Sequence, residues 1–179
     1  KVRVFCKNIR IKIGHYLNGL NQKKDTSSGN KKPSDVKSML IISDISMSNT
    51  QQGIKQLKKG IKEICPNVEF TAIHFNSVIN RIDGETLISD TNREYISEED
   101  FSFFFKIKNT TIQDYLDRNY DIIVLLIIEP QLYINFLLEY SRGSLIVGKN
   151  GVSEKLNFII NTKTTDVKTL AEAIINTYK

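Results

Sequence analysis

The hydrophobic and polar positions of this chain follow two periods, which alternate from residue 36 onward. Strand-like patterning occurs at Val36–Ser43, Val68–Phe75, Arg93–Ile96, Asp121–Ile128, Leu145–Val147 and Leu156–Ile160. Helical spacing of apolar residues occurs at Ser48–Ile64, Thr110–Asn119, Gln131–Ser141 and Asp166–Tyr178. Strands that alternate with helices predict an α/β fold with a mostly parallel, Rossmann-like sheet and helices on both of its faces. The nearly continuous apolar run at 121–128 predicts a strand buried on both faces.

Several residues predict where these elements begin and end. Ser46 or Ser48 is expected to cap the helix that follows the first strand, and Asp166 to cap the last helix. Gly143 stands where a C-terminal helix glycine belongs. Residues 76–92 are polar and predict a loop with a weak hairpin about residues 83–84.

The first 21 residues predict an amphipathic helix that precedes the α/β domain. Its apolar stripe consists of Val2, Phe5, Ile9, Ile13, Tyr16, Leu17 and Leu20. Residues 22–35 hold no apolar side chain apart from Pro33 and predict a flexible linker. The predicted organisation is therefore a basic helix over 1–21, a linker over 22–35 and a single α/β domain over 36–179.

The net positive charge of the chain comes entirely from its N-terminal fifth. Residues 1–37 hold ten Lys and Arg against two Asp, a net charge of +8, and residues 38–179 hold fifteen against eighteen acids, a net charge of −3. Together they give the overall +5. The net charge of the α/β domain therefore does not favour binding of a polyanion, whereas the net charge of the N-terminal segment does.

The predicted basic helix has three interpretations. It could dock through its apolar stripe on a partner protein, on its own domain or on a second copy; it could lie on an anionic membrane surface; or it could bind RNA through phosphate contacts. The stripe favours burial, so docking ranks first, the membrane second and RNA third. The candidate partner-binding residues are Arg3, Phe5, Lys7, Ile9, Arg10 and Lys12.

Cysteine and histidine are too few for a structural metal site. The chain has two of each, and Cys6 and Cys65 are far apart, so we predict no zinc site and no cofactor, and expect both thiols to be small, partly buried side chains. No apolar run reaches the length that spans a bilayer, and the charged N-terminus lacks the apolar core of a signal peptide. A cytoplasmic location is expected.

Candidate ligand-binding residues follow the ends of the predicted strands, since ligands of such sheets bind outside the carboxyl ends of the strands. They are Asp44, Ser46, His74, Arg142 and Lys149, which could surround an anionic ligand. The turn after the first strand, SDISMSNTQQG, contains neither GxGxxG nor GxxxxGK[ST]. His74 could act as a general base, although a lone His on an alternating strand is more often a half-buried packing residue. Asp44 and Glu129 could meet as an acid/base or magnesium pair.

An aromatic cluster at 101–107 (FSFFFKI) fits neither period clearly. Phe101, Phe103, Phe104 and Phe105 could form a stacking surface for nucleic acid beside Lys106 and Lys108, or they could belong to the core. The core is the commoner fate of aromatic side chains at this density.

Four segments share a pattern of apolar and fixed polar residues, with Asp121, Ser141 and Gly148 as its most specific points; they are Met39–Asp44, Tyr120–Leu126, Tyr133–Ser141 and Leu145–Gly148. Through this pattern, most of the chain resembles an uncharacterised family of small Bacteroidetes proteins, a domain of unknown function. The family also has a basic N-terminal helix ahead of its first strand. This chain has Leu126-Ile127 and Glu129-Pro130 at positions where the family is usually more polar.

The same strand–helix–strand unit is distantly similar to the N-terminal Rossmann-like half of heptosyltransferase-like glycosyltransferases, which hold the sugar nucleotide mainly with a second domain. Two functions therefore stay open. The first is a non-enzymatic binding or assembly module that attaches through its basic N-terminal helix, and it is favoured because no catalytic constellation is recognisable. The alternative is a domain or enzyme that binds an anionic ligand such as a sugar nucleotide or phosphate. Fold-level likeness alone does not transfer the activity.

Overall fold

The computed structural model describes residues 35–76 and 93–178. Its strands are β1 (Ser38–Asp44), β2 (Glu69–Asn76), β3 (Arg93–Ser97), β4 (Asn119–Leu126), β5 (Arg142–Lys149) and β6 (Phe158–Ile160). Its helices are α1 (Thr50–Ile64), α2 (Thr110–Leu116), α3 (Leu132–Tyr140) and α4 (Val167–Asn176). Every strand and helix predicted after residue 36 is confirmed, with ends that differ by up to three residues. The predicted helix over 1–21, the linker up to residue 34 and the loop over 77–92 lie outside the described residues.

The six strands form one sheet in the order β3-β2-β1-β4-β5-β6, and every pairing is parallel. This is the strand order of the Rossmann fold. β1 lies at the centre, where Ile41 pairs with Ala72 on one side and with Val124 on the other. The order reverses between β1 and β4, because the chain builds outward from β1 in one direction and then returns to build from β4 in the other.

The sheet buries both of its faces, which explains the unbroken apolar run in β4. On one face, α1 and α4 pack over Met39, Ile41 and Val124, and on the other face α2 and α3 pack over Leu40 and Leu125. Adjacent residues of a strand point to opposite faces, so each central strand contributes to both cores. None of the helices among the described residues is long and apolar enough to cross a bilayer.

Gly143 does not end a helix, contrary to the prediction, but lies within β5. Helix α3 ends in the extended residue Ser141, and β5 begins immediately afterwards at Arg142. A Cβ atom on Gly143 would lie 2.5 Å from the Cδ1 atom of Ile123 on the neighbouring strand. Glycine is therefore required here for close packing rather than for a left-handed turn.

The aromatic segment at 101–107 forms a tight loop that divides its phenylalanines between core and solvent. The backbone amide of Ser102 donates to the carbonyl of Lys106 at 2.7 Å, and that of Phe105 donates to Ser102 at 2.9 Å. Phe105 has a left-handed φ of 61°, which is rare for a bulky residue. Phe101 and Phe105 are buried, while Phe103 and Phe104 are exposed at the tip. The core interpretation therefore holds for two of the four rings.

The hydroxyl of Tyr178 gives a test of the packing under α4. This oxygen is buried, and it has no hydrogen-bond partner among the residues that the structure describes. Burial, followed by the influence of Cys65, raises the pKa of Tyr178 far above its usual value. Because a buried hydroxyl without a partner is destabilising, Tyr178→Phe should raise the free energy of unfolding by about 0.5–2 kcal/mol, measured by urea denaturation.

Tyr120→Phe is the matched control for that substitution. The Tyr120 hydroxyl is also buried but donates to the backbone carbonyl of Tyr115 at 2.8 Å. Removing it should lower stability by about 1 kcal/mol. If both substitutions were destabilising, the Tyr178 hydroxyl would have to be hydrogen-bonded in solution.

Candidate functional site

The candidate site lies at the carboxyl edge of the sheet, where β1 and β4 end side by side. The two connections that leave this point cover opposite faces of the sheet: α1 follows β1 and α3 follows β4. In open α/β sheets this point, where the strand order reverses, is where the ligand-binding crevice lies.

Asp44, the last residue of β1, is fully buried at this point. Its carboxylate accepts hydrogen bonds from the backbone amide of Ser46 at 2.8 Å, from the Ser46 hydroxyl at 2.6 Å and from the side-chain amide of Gln131. Gln131 immediately precedes α3, so this last bond ties the end of β1 to the start of α3 across the crevice. The Gln131 side-chain oxygen is itself buried, without a hydrogen-bond partner among the described residues.

The turn after β1 corrects the prediction that Ser46 or Ser48 caps α1. Asn49 takes the N-cap position in a left-handed conformation with φ 63°, and its side chain makes no capping bond. The Ser46 hydroxyl is engaged with Asp44 instead, and the Thr50 hydroxyl donates to the carbonyls of Asp44 and Met47 at 2.8 Å each. Asparagine tolerates the left-handed region better than most residues, which suits it to this turn.

A second carboxylate lies at the N-terminus of α1. Asp166 caps α4 by accepting from the backbone amide of Thr169 at 2.8 Å, as predicted, and it also accepts from the Asn49 side chain at 2.8 Å. The bond from Asn49, together with the two bonds from Thr169, lowers the pKa of Asp166. Asp44 and Asp166 therefore place negative charge where this fold usually receives a phosphate, and this arrangement disfavours an anion at the start of α1.

His74 is fully buried, although the sequence predicted a half-buried residue. Its Nδ1 atom lies 2.7 Å from the hydroxyl of Ser43, which is also fully buried, and its ring lies 5.2 Å from that of Tyr95. Ser43 and His74 are paired in register on β1 and β2, on the face opposite Asp44. The pair lies beneath the carboxyl edge rather than on it, so a bound ligand would not reach His74 without a movement of the covering residues.

Sequence reasoning missed Ser43 and Gln131. Ser43 could have been recognised as a polar residue in a buried strand at the alternate position that faces His74. Gln131 gave no such signal, because its role depends on β4 ending beside β1.

Lys149 and Arg142 lie at opposite ends of β5. Lys149 is at the carboxyl edge, and its Nζ atom donates to the carbonyl of Ile128 at 3.2 Å. Arg142 begins the strand at the amino edge, where it lies 3.5 Å from the exposed carboxylate of Asp117. The structure therefore does not bring Arg142 to the crevice, because β5 begins three residues earlier than the apolar pattern indicated.

The remaining candidate residues do not form a metal centre in the described part of the chain. Glu129 is exposed, and the Asp44 carboxylate is bonded to Ser46 and Gln131. Across residues 35–76 and 93–178, no three His, Cys, Asp or Glu side chains converge as metal ligands would. Cys65 is buried, and burial raises the pKa of its thiol. Arg3, Phe5, Lys7, Ile9, Arg10 and Lys12 lie outside the described residues.

The three most specific points of the family resemblance have structural roles. The Asp121 carboxylate accepts from the backbone amides of Lys37 and Ser38 at 2.7 and 3.0 Å and so ties the start of β1 to β4. The Ser141 hydroxyl donates to the last turn of α3. A Cβ atom on Gly148 would lie 2.9 Å from the side chain of Leu156. The described contacts of these residues join β1 to β4, close the last turn of α3 and allow close packing on β5.

Comparison with known proteins identifies one family, whose function is unknown. No curated protein and no solved structure matches the chain. One family model matches residues 10–177, and this range includes most of the predicted N-terminal helix as well as the α/β domain. With the match extending over nearly its whole length, the chain belongs to DUF6913, a family of unknown function.

Proposed function

We propose that the chain is a binding or assembly module whose basic N-terminal segment, residues 1–37, attaches the α/β domain to an acidic partner protein. The observation that carries this proposal is the separation of charge, with +8 on the segment and −3 on the remainder. Opposite charge accelerates encounter with an acidic surface, and burial of the predicted apolar stripe would then stabilise the complex.

The contacts at the carboxyl edge support this choice over an anionic ligand. The Asp44 carboxylate is bonded to Ser46 and Gln131, and the Lys149 ammonium is bonded to a backbone carbonyl. Asp166 adds a carboxylate beside the start of α1. A phosphate in the crevice would have to overcome repulsion from two carboxylates, and Arg142 lies at the other edge.

The test removes the same number of positive charges from two parts of the full chain. One variant carries Arg3, Lys7, Arg10 and Lys12 changed to Gln. The control carries Lys55, Lys59, Lys62 and Lys168 changed to Gln; these four side chains are exposed on α1 and α4. Each protein is immobilised and exposed to lysate at about 0.05 M and about 0.5 M salt, since screening weakens contacts between exposed charges.

We expect acidic proteins to be retained by the parent and by the control at low salt, and to be lost from the N-terminal variant. Vesicles containing phosphatidylserine and poly-uridine RNA are tested in parallel. Retention of vesicles or RNA without protein would replace the partner protein with a membrane or an RNA. Equal retention by both variants would show that the N-terminal charges do not attach the module.

A further inference from the structure

A tight turn at Asn150 and Gly151 follows β5 at the carboxyl edge of the sheet. The backbone amide of Val152 donates to the carbonyl of Lys149 at 3.3 Å, and that of Asn150 donates to the carbonyl of Ile160 at 3.1 Å. Gly151 takes the third position of the turn with a positive φ of 84°, which glycine adopts without strain. The turn therefore holds Asn150 directly before a residue that has no side chain.

This turn brings a side-chain amide next to an unhindered backbone nitrogen. The Asn150 side chain is exposed and makes no hydrogen bond within the described ranges, so it can rotate toward its own main chain. The backbone amide of Gly151 likewise donates to none of the described residues. A Cβ atom on Gly151 would meet nothing within 4 Å, so the surroundings of this residue are open.

The other asparagines of residues 35–76 and 93–178 lack this combination. Each is followed by a residue with a side chain, whereas Asn150 precedes glycine. Asn157 gives the clearest contrast, because its side chain accepts from the backbone amide of Ile146 at 2.5 Å and donates to the carbonyl of Ser144 at 3.2 Å. Its amide group is thus held in place, and the next residue is the bulky Phe158.

We infer that Asn150 is a site of spontaneous deamidation in the folded chain. The backbone nitrogen of Gly151 loses its proton to base and attacks the side-chain amide carbon of Asn150. A carbon–nitrogen bond forms, the bond from that carbon to the side-chain nitrogen breaks, and ammonia leaves with a proton taken from solvent. Water then opens the resulting succinimide ring. Opening at the side-chain carbonyl leaves aspartate, and opening at the main-chain carbonyl leaves isoaspartate.

Deamidation changes the carboxyl edge in two ways. Both products place a carboxylate beside Lys149, whose ammonium group donates to the carbonyl of Ile128. Isoaspartate also lengthens the main chain by one carbon atom between Lys149 and Val152, the two residues whose hydrogen bond closes the turn. Because Val152 is buried in the core, this longer path should loosen the turn and the end of β5.

The rate of amide loss at each asparagine tests this inference. The full chain is incubated at physiological temperature in mildly acidic and in mildly alkaline buffer. Its peptides are then analysed by mass spectrometry, with fragmentation that distinguishes isoaspartate from aspartate. We expect Asn150 to lose its amide at least about tenfold faster than Asn157, and faster in the alkaline buffer because the attacking nitrogen must lose a proton. The second Asn-Gly pair, at 18–19, lies outside the described residues and is followed on its own peptide.

Two variants separate the chemistry of this site from its consequences. Gly151→Ala places a methyl group beside the attacking nitrogen and should slow deamidation at Asn150 by at least about tenfold. Asn150→Asp is the matched control for the added charge, because it leaves the main chain at its original length. Hydrogen exchange at the Val152 amide should be faster in the aged parent than in fresh parent, and unchanged in Asn150→Asp.

Three results would count against the inference. Asn150 could keep its amide for as long as Asn157 does, or it could react equally fast in the parent and in Gly151→Ala. Either result would overturn the assignment of Asn150 as a deamidation site. If the Val152 amide exchanged no faster in isoaspartate-containing parent than in Asn150→Asp, the loosening of the turn would be wrong.

Discussion

Phe136→Ala should be the most destabilising of the single substitutions considered, with a loss of about 3–5 kcal/mol in the free energy of unfolding. The Phe136 ring is fully buried and stacks on Phe105 with the ring centroids 4.1 Å apart and the planes within 5°. Truncation would leave a cavity in the core beneath α3. It would also remove the stacking contact of Phe105, whose left-handed conformation costs a non-glycine residue about 1–2 kcal/mol.

The loss should include a local effect on the loop at 101–107. Without the Phe136 ring, burial of Phe105 offsets less of the backbone strain, so the hydrogen bond between Ser102 and Lys106 should open more often. Hydrogen exchange at the Ser102 amide, compared with that of β4 amides, measures this opening. Phe103→Ala is the control for the same chemical change at an exposed site, and it should alter stability by no more than about 0.5 kcal/mol. Similar losses from both substitutions would contradict the division of the rings between core and solvent.

The α/β fold was predictable because its signals are periodic. A buried strand needs apolar residues on both faces, and an amphipathic helix needs them at three- and four-residue spacing, so both appear in any window of suitable length. The loop at 101–107 could not be assigned in this way. Its shape depends on one residue, Phe105, in a left-handed conformation that its sequence neighbours do not favour, and the burial that compensates for this strain comes from α3, some thirty residues later.

The arrangement of the crevice was predictable in part, for a related reason. That Asp44 and Lys149 lie at the carboxyl ends of β1 and β5 followed from the apolar pattern, which predicted that these strands end at Ser43 and Val147. The apolar pattern did not predict the residue at which β5 begins, because Arg142 and Gly143 carry no apolar signal. The strand extends to them through the close packing of Gly143 against Ile123. The partner of Asp44 also depended on tertiary structure. Glu129 and Gln131 are two residues apart, and only the path of the chain from β4 into α3 decides which of them meets Asp44.

That contact gives the second large expected effect, since Gln131→Glu should lower stability at pH 7 by about 2–4 kcal/mol by placing a second carboxylate against the buried Asp44. Repulsion and burial raise the pKa of the introduced carboxyl group in the folded variant above its unfolded value of about 4.3. The deficit relative to the parent is therefore absent at pH values below the unfolded pKa and grows as the pH rises through the folded one. Urea denaturation at pH 5 and pH 7 should show the smaller deficit at pH 5.

Two further variants separate the effect of breaking this contact from a general effect of an added negative charge. Gln56→Glu makes the same chemical change at an exposed site, where the Gln56 side chain donates to Glu172 at 2.7 Å, and it should cost no more than about 0.5 kcal/mol. The double variant Asp44→Asn/Gln131→Glu exchanges the donor and acceptor roles across the crevice. Because the repulsion is then gone, the double variant should regain more than half of the stability lost in Gln131→Glu. It should also lose most of the pH dependence of that deficit. Gln131→Glu at parent stability, or a double variant less stable than Gln131→Glu alone, would show that the side chains of Asp44 and Gln131 do not join β1 to α3 in solution.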